Sequence, residues 1–183
     1  MSLSTDYAVQ GSGGQTVDEY LKVRKHTIEV RSVLASFASQ EEGESLGQIL
    51  GGAGWSLRIA QTFAEAEAAL RSFSFGVVLC GGHLADGHGW KDVLNVIHRM
   101  PIPAQLIVAD RLADEALWAE VLNLGGYDLL ATPFEPEEVL RVVPMAWDFW
   151  ERESARAEMR RKPLESAKPW CQPQGKTLAA GTD

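Results

Sequence analysis

Four side chains that can bind or transform something fall within nine residues: Cys80, His83, Asp86 and His88. Together they could offer a metal one soft and three borderline or hard ligands. Their spacing matches no familiar zinc pattern. Cys80 sits inside the apolar run Val77-Val78-Leu79-Cys80, and Asp86 and His88 straddle Gly87. A buried thiol and a glycine turn are poorly placed to close on one ion, so no metal and no cofactor are expected. Glu41 and Glu42 form an acidic pair, but they read as first-turn acids favoured by a helix dipole. Asp86-Gly87 reads as a turn that helps start the next helix, and Asp110 as the cap of the helix after its strand.

Nucleophilic and nucleotide chemistry lack their usual carriers. There is no phosphate-binding loop lysine, and the one Gly-x-Ser-x-Gly run, Gly43 to Gly47, falls inside the helical stretch 41–55 and not at a strand-to-helix elbow. The turn "SFASQEEG" (36–43) is too bulky and acidic to cradle a phosphate, and Gly81-Gly82-His83 lacks the aspartate of a cobalamin-binding Asp-x-His-x-x-Gly. An enzyme is not expected.

The elements that would position these residues alternate regularly. Strand candidates are 28–37, 56–61, 75–80, 104–109 and 127–132. Helical periodicity fills 41–55, 62–70, 90–100, 114–124 and 136–150. Thr62 and Glu65 have capping-box spacing, Gly125 closes a helix, and Pro136 suits a first turn. Pro144 is expected to kink the last helix near Leu140. Five strand–helix units with short connections imply an α/β fold, a doubly wound five-stranded parallel sheet between two helix layers. Sites in such sheets lie beyond the carboxyl ends of the strands, here the loops 37–42, 81–89, 109–113 and 132–136.

The rest of the chain sets bounds. The 183 residues carry a formal net charge of −8, which disfavours nucleic acid as a partner. No apolar run nears the ~20 residues of a membrane span, and no charged-then-apolar leader opens the chain, so a cytoplasmic location is expected. Residues 1–27 read as a flexible segment in which 17–25 can form a short helix. Residues 28–150 read as the globular domain, 151–162 as a solvated helical extension and 163–183 as an irregular tail. Cys80 in a strand and Cys171 in the tail do not suggest a disulfide.

Three stretches resemble the receiver domain of two-component response regulators. "GGYDLLATPFEPEEVLRVV" (125–143) is similar to that family's last strand and helix, "FGVVLCGGHLADGHGW" (75–90) to its third strand and loop, and "AGWSLRIAQTFAEAEAAL" (53–70) to its second strand and helix. The resemblance implies a flavodoxin-like receiver fold over 28–150. It also implies a phosphorelay site made of an acceptor aspartate, an acid pair for Mg²⁺, a lysine, a Thr/Ser and a switch aromatic. Those positions fall on Gly81, on Phe37 and Ala38, on Thr132, on Ala109 or Asp110, and on Leu129. Glycine forms no acyl phosphate, and phenylalanine and alanine ligate no Mg²⁺. The resemblance therefore implies a pseudo-receiver that acts in signal transduction without phosphorylation, through a signalling protein partner or as a homodimer.

Two alternatives stand beside it: an active receiver using Asp86 or Asp110 as acceptor, and a small-molecule-binding flavodoxin-like protein. For contact, the resemblance points to the face of the fourth helix, fifth strand and fifth helix. Trp118, Leu122, Leu140 and Trp147 are the candidate interface residues there. They flank the expected core stripes Leu117-Val121-Leu124 and Val139-Val143-Ala146-Trp150.

Overall fold

The computed structural model describes residues 31–165, with side chains through Arg160. The expected leading helix at 17–25, the first residues of the 28–37 strand, the tail beyond 165 and Cys171 lie outside the described residues. In chain order the elements are β1 (Ser32–Ser36), α1 (Gln40–Gly52), β2 (Ser56–Ala60), α2 (Phe63–Ser72) and β3 (Val77–Gly81). They continue as α3 (Trp90–Ile97), β4 (Gln105–Asp110), α4 (Glu115–Leu124), β5 (Asp128–Ala131) and α5 (Pro136–Glu165). All pairings are parallel and the sheet order is β2-β1-β3-β4-β5. The register aligns Ser36 with Cys80, Cys80 with Val108 and Gly81 with Ala109, so the carboxyl ends of the central strands finish level.

Both faces of the sheet are covered, which is why its central strands read as unbroken apolar runs. Val33, Ala35, Val77, Leu79 and Ile107 face α1 and α5. Leu34, Val78, Cys80, Leu106 and Val108 face α2, α3 and α4. Helix termini follow their caps. Thr62 accepts the Glu65 N–H at 3.2 Å, while Glu65 reaches past it to the N–H of Gln61 at 2.8 Å. Asp92 at the third position of α3 takes the Gly89 N–H at 3.0 Å. Asp114, not Asp110, caps α4 by accepting the Leu117 N–H at 2.8 Å.

Several boundaries differ from expectation for local reasons. Gly81 is the last residue of β3 rather than the first beyond it. Phe37 has left β1, although its N–H still reaches Ala60 O at 3.1 Å. α3 stops at Ile97, and β5 is shorter than 127–132. The largest difference is α5. It is one helix of 30 residues, so no break falls at 150/151, and Pro163 lies in its last turn rather than opening the tail. Pro144 does not interrupt it. One missing hydrogen bond is outweighed by the buried residues on either side, Val142 and Val143 before it and Ala146 and Trp147 after it.

α5 is fastened by aromatic packing. Trp147 and Trp150 are 2% and 1% exposed, with ring centroids 5.0 Å apart, and Trp55 meets Trp147 edge-on at 5.5 Å. Trp147 is thus a core residue and not part of an interface. The stripe expected on α4 is also corrected: Val121 is buried, but Leu124 is 45% exposed. The two indoles sit on bare backbone at the start of β3. A β-carbon at Gly76 would lie 2.6 Å from Trp147 Cε3 and 2.7 Å from Trp150 Cε3. Rings this buried cannot step aside. Gly76→Ala is therefore expected to destabilise the fold by at least ~1–3 kcal/mol, read as a lower urea midpoint at unchanged slope. An unchanged midpoint would mean that this packing is looser than described.

Candidate functional site

The carboxyl edge of the sheet brings together Phe37 after β1, Gly81 and Gly82 at the end of β3, Asp110 at the end of β4, and Thr132 after β5. These elements meet because the register ends the central strands together. At the centre is an aromatic plug. Phe37 is fully buried and meets Phe134 edge-on, ring centroids 5.7 Å apart and planes at 76°. Its Cδ1 would be 3.1 Å from a β-carbon on Gly81. The phenyl ring is therefore packed against the position from which a side chain at 81 would emerge. Ala38 beside it is exposed.

The polar groups at this edge are engaged with backbone. Asp110 Oδ1 accepts the Leu112 N–H at 2.9 Å, a local turn rather than the helix cap expected from sequence. Its other oxygen lies against the space where a Gly82 side chain would stand, so bare backbone at 82 is what admits the carboxylate. Thr132 is 9% exposed, its N–H donates to Asp110 O at 3.1 Å, and the Thr132–Pro133 peptide is cis. Ala109 is buried and Leu129 half-buried. A Mg²⁺ ion needs several oxygen ligands in near-octahedral array. Phe37, Ala38 and Gly81 offer no side-chain oxygen, and these residues do not fit that ion.

The Cys80, His83, Asp86 and His88 set does not converge either. Among the described residues, no three His, Cys, Asp or Glu side chains are grouped so as to hold a metal. Cys80 points into the core on the α2–α3 side. Burial pushes its thiol up to about 12, against a smaller lowering by the Ser36 hydroxyl, so it stays protonated at neutral pH.

Asp86 and His88 have another task, which sequence reasoning missed. Asp86 Oδ2 accepts the N–H of Phe63, the first residue of α2, at 2.8 Å. Asp86 Oδ1 lies 3.4 Å from His88 Nδ1, and the His88 ring stacks on Phe63 at 4.6 Å and 20°. The Ala85 N–H adds a bond to Gln61 O at 3.1 Å. The Asp86-Gly87 turn thus caps α2 across the sheet edge and does not start α3. The Thr62-Phe63 helix start and the Asp-Gly turn are both visible in the sequence; only their pairing, 23 residues apart, is not.

Of the expected interface residues, Trp118 and Leu122 are 48% and 37% exposed. The Trp118 indole N–H donates to Asp128 at 3.1 Å, so it lies over the β5 edge. A shallow groove of about 270 Å³ runs past it between Leu129, Ala131 and Glu138. Leu140 is exposed but shares its side of α5 with Trp147, which packs on Trp55 after α1. It therefore does not join Trp118 on one surface. The α5 residues exposed on the β5 side are Met145 and Phe149, the latter 5.9 Å from Tyr127. Their i, i+4 spacing was the available signal. A larger open groove of about 590 Å³ lies away from the carboxyl edge, along α1, β2 and α2, with Arg58 stacked on Phe73.

A five-stranded parallel sheet in the order 2-1-3-4-5 with helices on both faces is the fold of response-regulator receiver domains. A signal receiver domain from Vibrio parahaemolyticus superposes with TM-score 0.64 at 18% identity, over 69% of this chain and 96% of that one. A response regulator receiver domain protein from Methanospirillum hungatei gives 0.60 at 23%, over 68% and 98%. The receiver domain of an HD domain-containing protein from Pseudomonas fluorescens gives 0.61 at 22%, over 67% and 98%. The likeness is one of fold. No protein-family model and no curated protein matches the sequence. Among the described residues no helix is long and apolar enough to cross a membrane.

Two measurements check this geometry. Gly81→Ala is expected to cost ~1–3 kcal/mol because the plug cannot yield, and this cost should largely vanish in a Phe37→Ala background, where space is freed. Additive effects would show that the two positions do not touch. For Asp86, burial raises the carboxyl, but the hydrogen bonds from the Phe63 and His88 backbone and the His88 charge outweigh it and hold the pKa below its ordinary value. The unfolded chain then binds the proton more readily. Its contribution is complete above about pH 4, the unfolded carboxyl value, and is lost as pH falls through the lower folded value. Asp86→Asn should flatten the stability–pH curve in that acid window. A slope matching the parent's would remove the assignment.

Proposed function

We propose that this chain is a receiver-fold signalling protein that works without phosphorylation, through protein–protein contact. One observation carries the reading: the buried Phe37 ring packed against Gly81, where a receiver would present its acceptor aspartate. Loss of the acid pair and lysine, at Phe37, Ala38 and Thr132, supports it, because nothing then offsets phosphoryl charge at this edge. The working surface in this reading is the α4–β5–α5 face. It carries exposed Trp118, Leu122, Met145 and Phe149, and tryptophan in particular is enriched where proteins dock.

Asp110 is the acid that a working phosphorelay would have to use, since Asp86 is committed to capping α2. Incubation of the full chain with acetyl phosphate and Mg²⁺ followed by intact-mass measurement separates the readings. The expected result is an unmodified mass. An adduct of about 80 Da, one phosphoryl group, that disappears in Asp110→Asn or Asp86→Asn would overturn the proposal.

A further inference from the structure

The helical extension past Trp150, expected to be solvated, is covered along one side. The larger apolar cluster of the core takes its last α5 residue at Trp150, and the other takes none. Burial nevertheless continues along the same line. Trp147, Trp150 and Ser154 are buried and Ala157 is half-buried, at spacings of three, four and three. Residues 151–153, 155, 156 and 158–160 are exposed. A burial stripe of that period is what a second helix leaves on the first. The Ser154 hydroxyl is fully buried and has no hydrogen-bond partner among the described residues. Ser154 and Ala157 are also small, so the stripe is notched there and accepts large side chains from whatever lies on it.

The segment before β1 is the part of the chain placed and built for this stripe. The Arg31 guanidinium lies over the Trp55 ring at 5.2 Å, and Trp55 meets Trp147, so the chain enters β1 beside α5. Ser154 is seven residues past Trp147, about 10 Å along the helix, and the five residues 26–30 can span up to about 17 Å. Thr16 and Glu19 have capping-box spacing, and Val17, Tyr20 and Leu21 share one side of the helix that would follow. We infer that residues 17–25 form a short helix that lies antiparallel on α5, over Ser154 and Ala157. Tyr20 and Leu21 fill the notch, and the Tyr20 phenol supplies the partner that the Ser154 hydroxyl lacks. Charge agrees with the direction. The segment is acidic at Asp18 and Glu19 and basic at Lys22, Arg24 and Lys25. On α5, Glu151 and Glu158 flank the stripe, and the run Arg160-Arg161-Lys162 lies farther out. A helix returning inward to Arg31 sets unlike charges side by side, whereas a parallel one would set like on like. The tail after 165 starts at the far end of α5, and Pro169 and Pro173 deny it a comparable helix.

This docking is independent of whether the carboxyl edge takes a phosphoryl group. The test is amide hydrogen exchange of the full chain, read by mass spectrometry at two protein concentrations, with thermal melts confirming that each variant is folded. Amides of residues 20–25 are expected to exchange at least ~10-fold more slowly than in an unstructured chain. Leu21→Asp should return them to the unstructured rate and also speed exchange at 151–160, with the sheet unaffected. Ser154→Arg should release 20–25 in the same way, because a long charged side chain fills the notch. Unprotected amides at 20–25, protection that survives Ser154→Arg in folded protein, or no change at 151–160 in Leu21→Asp overturns the inference. Protection that grows with protein concentration overturns it too, since the occupant is then a second copy. Protection at 166–183 in place of 20–25 assigns the stripe to the tail and overturns it as well.

Discussion

The placement of α5 depends on the absence of a side chain at Gly76. Two indoles pack close against backbone there, and the helix can approach β3 only because nothing projects from it. Much else follows from that contact. It sets the rotation of α5, which turns Trp147 inward and Met145 and Phe149 outward. It also anchors the helix whose preceding turn delivers Phe134 to the carboxyl edge, where it backs Phe37. The plugged edge and the outward stripe are thus two ends of one packing arrangement.

That edge is also internally consistent. A ring at 37 and no side chain at 81 suit one another, since a β-carbon at 81 would already lie 3.1 Å from Phe37 Cδ1. The fold is that of receiver domains, and at this part of its carboxyl edge the buried Phe37 and Phe134 rings fill the space with hydrocarbon.

The alternating elements are legible in the sequence because a two-sided parallel sheet writes itself as unbroken apolar runs separated by amphipathic helices. The placement of Gly81, Phe37, Ala38 and Thr132 at the carboxyl edge is legible too, since short loops tie each to the end of its strand. Other features are not. Trp147 and Leu140 lie on the same flank of α5, and periodicity alone does not say which is drawn inward; the bare patch at Gly76 decides it. Asp110 is the first acid after its strand, but the helix starts four residues later and Asp114 caps it. The bond between Asp86 and Phe63 joins residues on separate units, which local pattern cannot anticipate. The continuity of α5 past Pro163 escapes because proline is read as a stop.

The clasp formed by Asp86, His88 and Ala85 has a mechanical meaning. The β3–α3 loop is bound to the start of α2 by a backbone N–H donated to the Asp86 carboxylate, one backbone–backbone hydrogen bond and a stacked ring pair, while its Leu84 is buried in the same cluster as Trp90, Val93 and Leu94 of α3. Loop and first turn of α2 are therefore clasped together, and a displacement of the loop is passed sideways into the second helix as well as forward into the third.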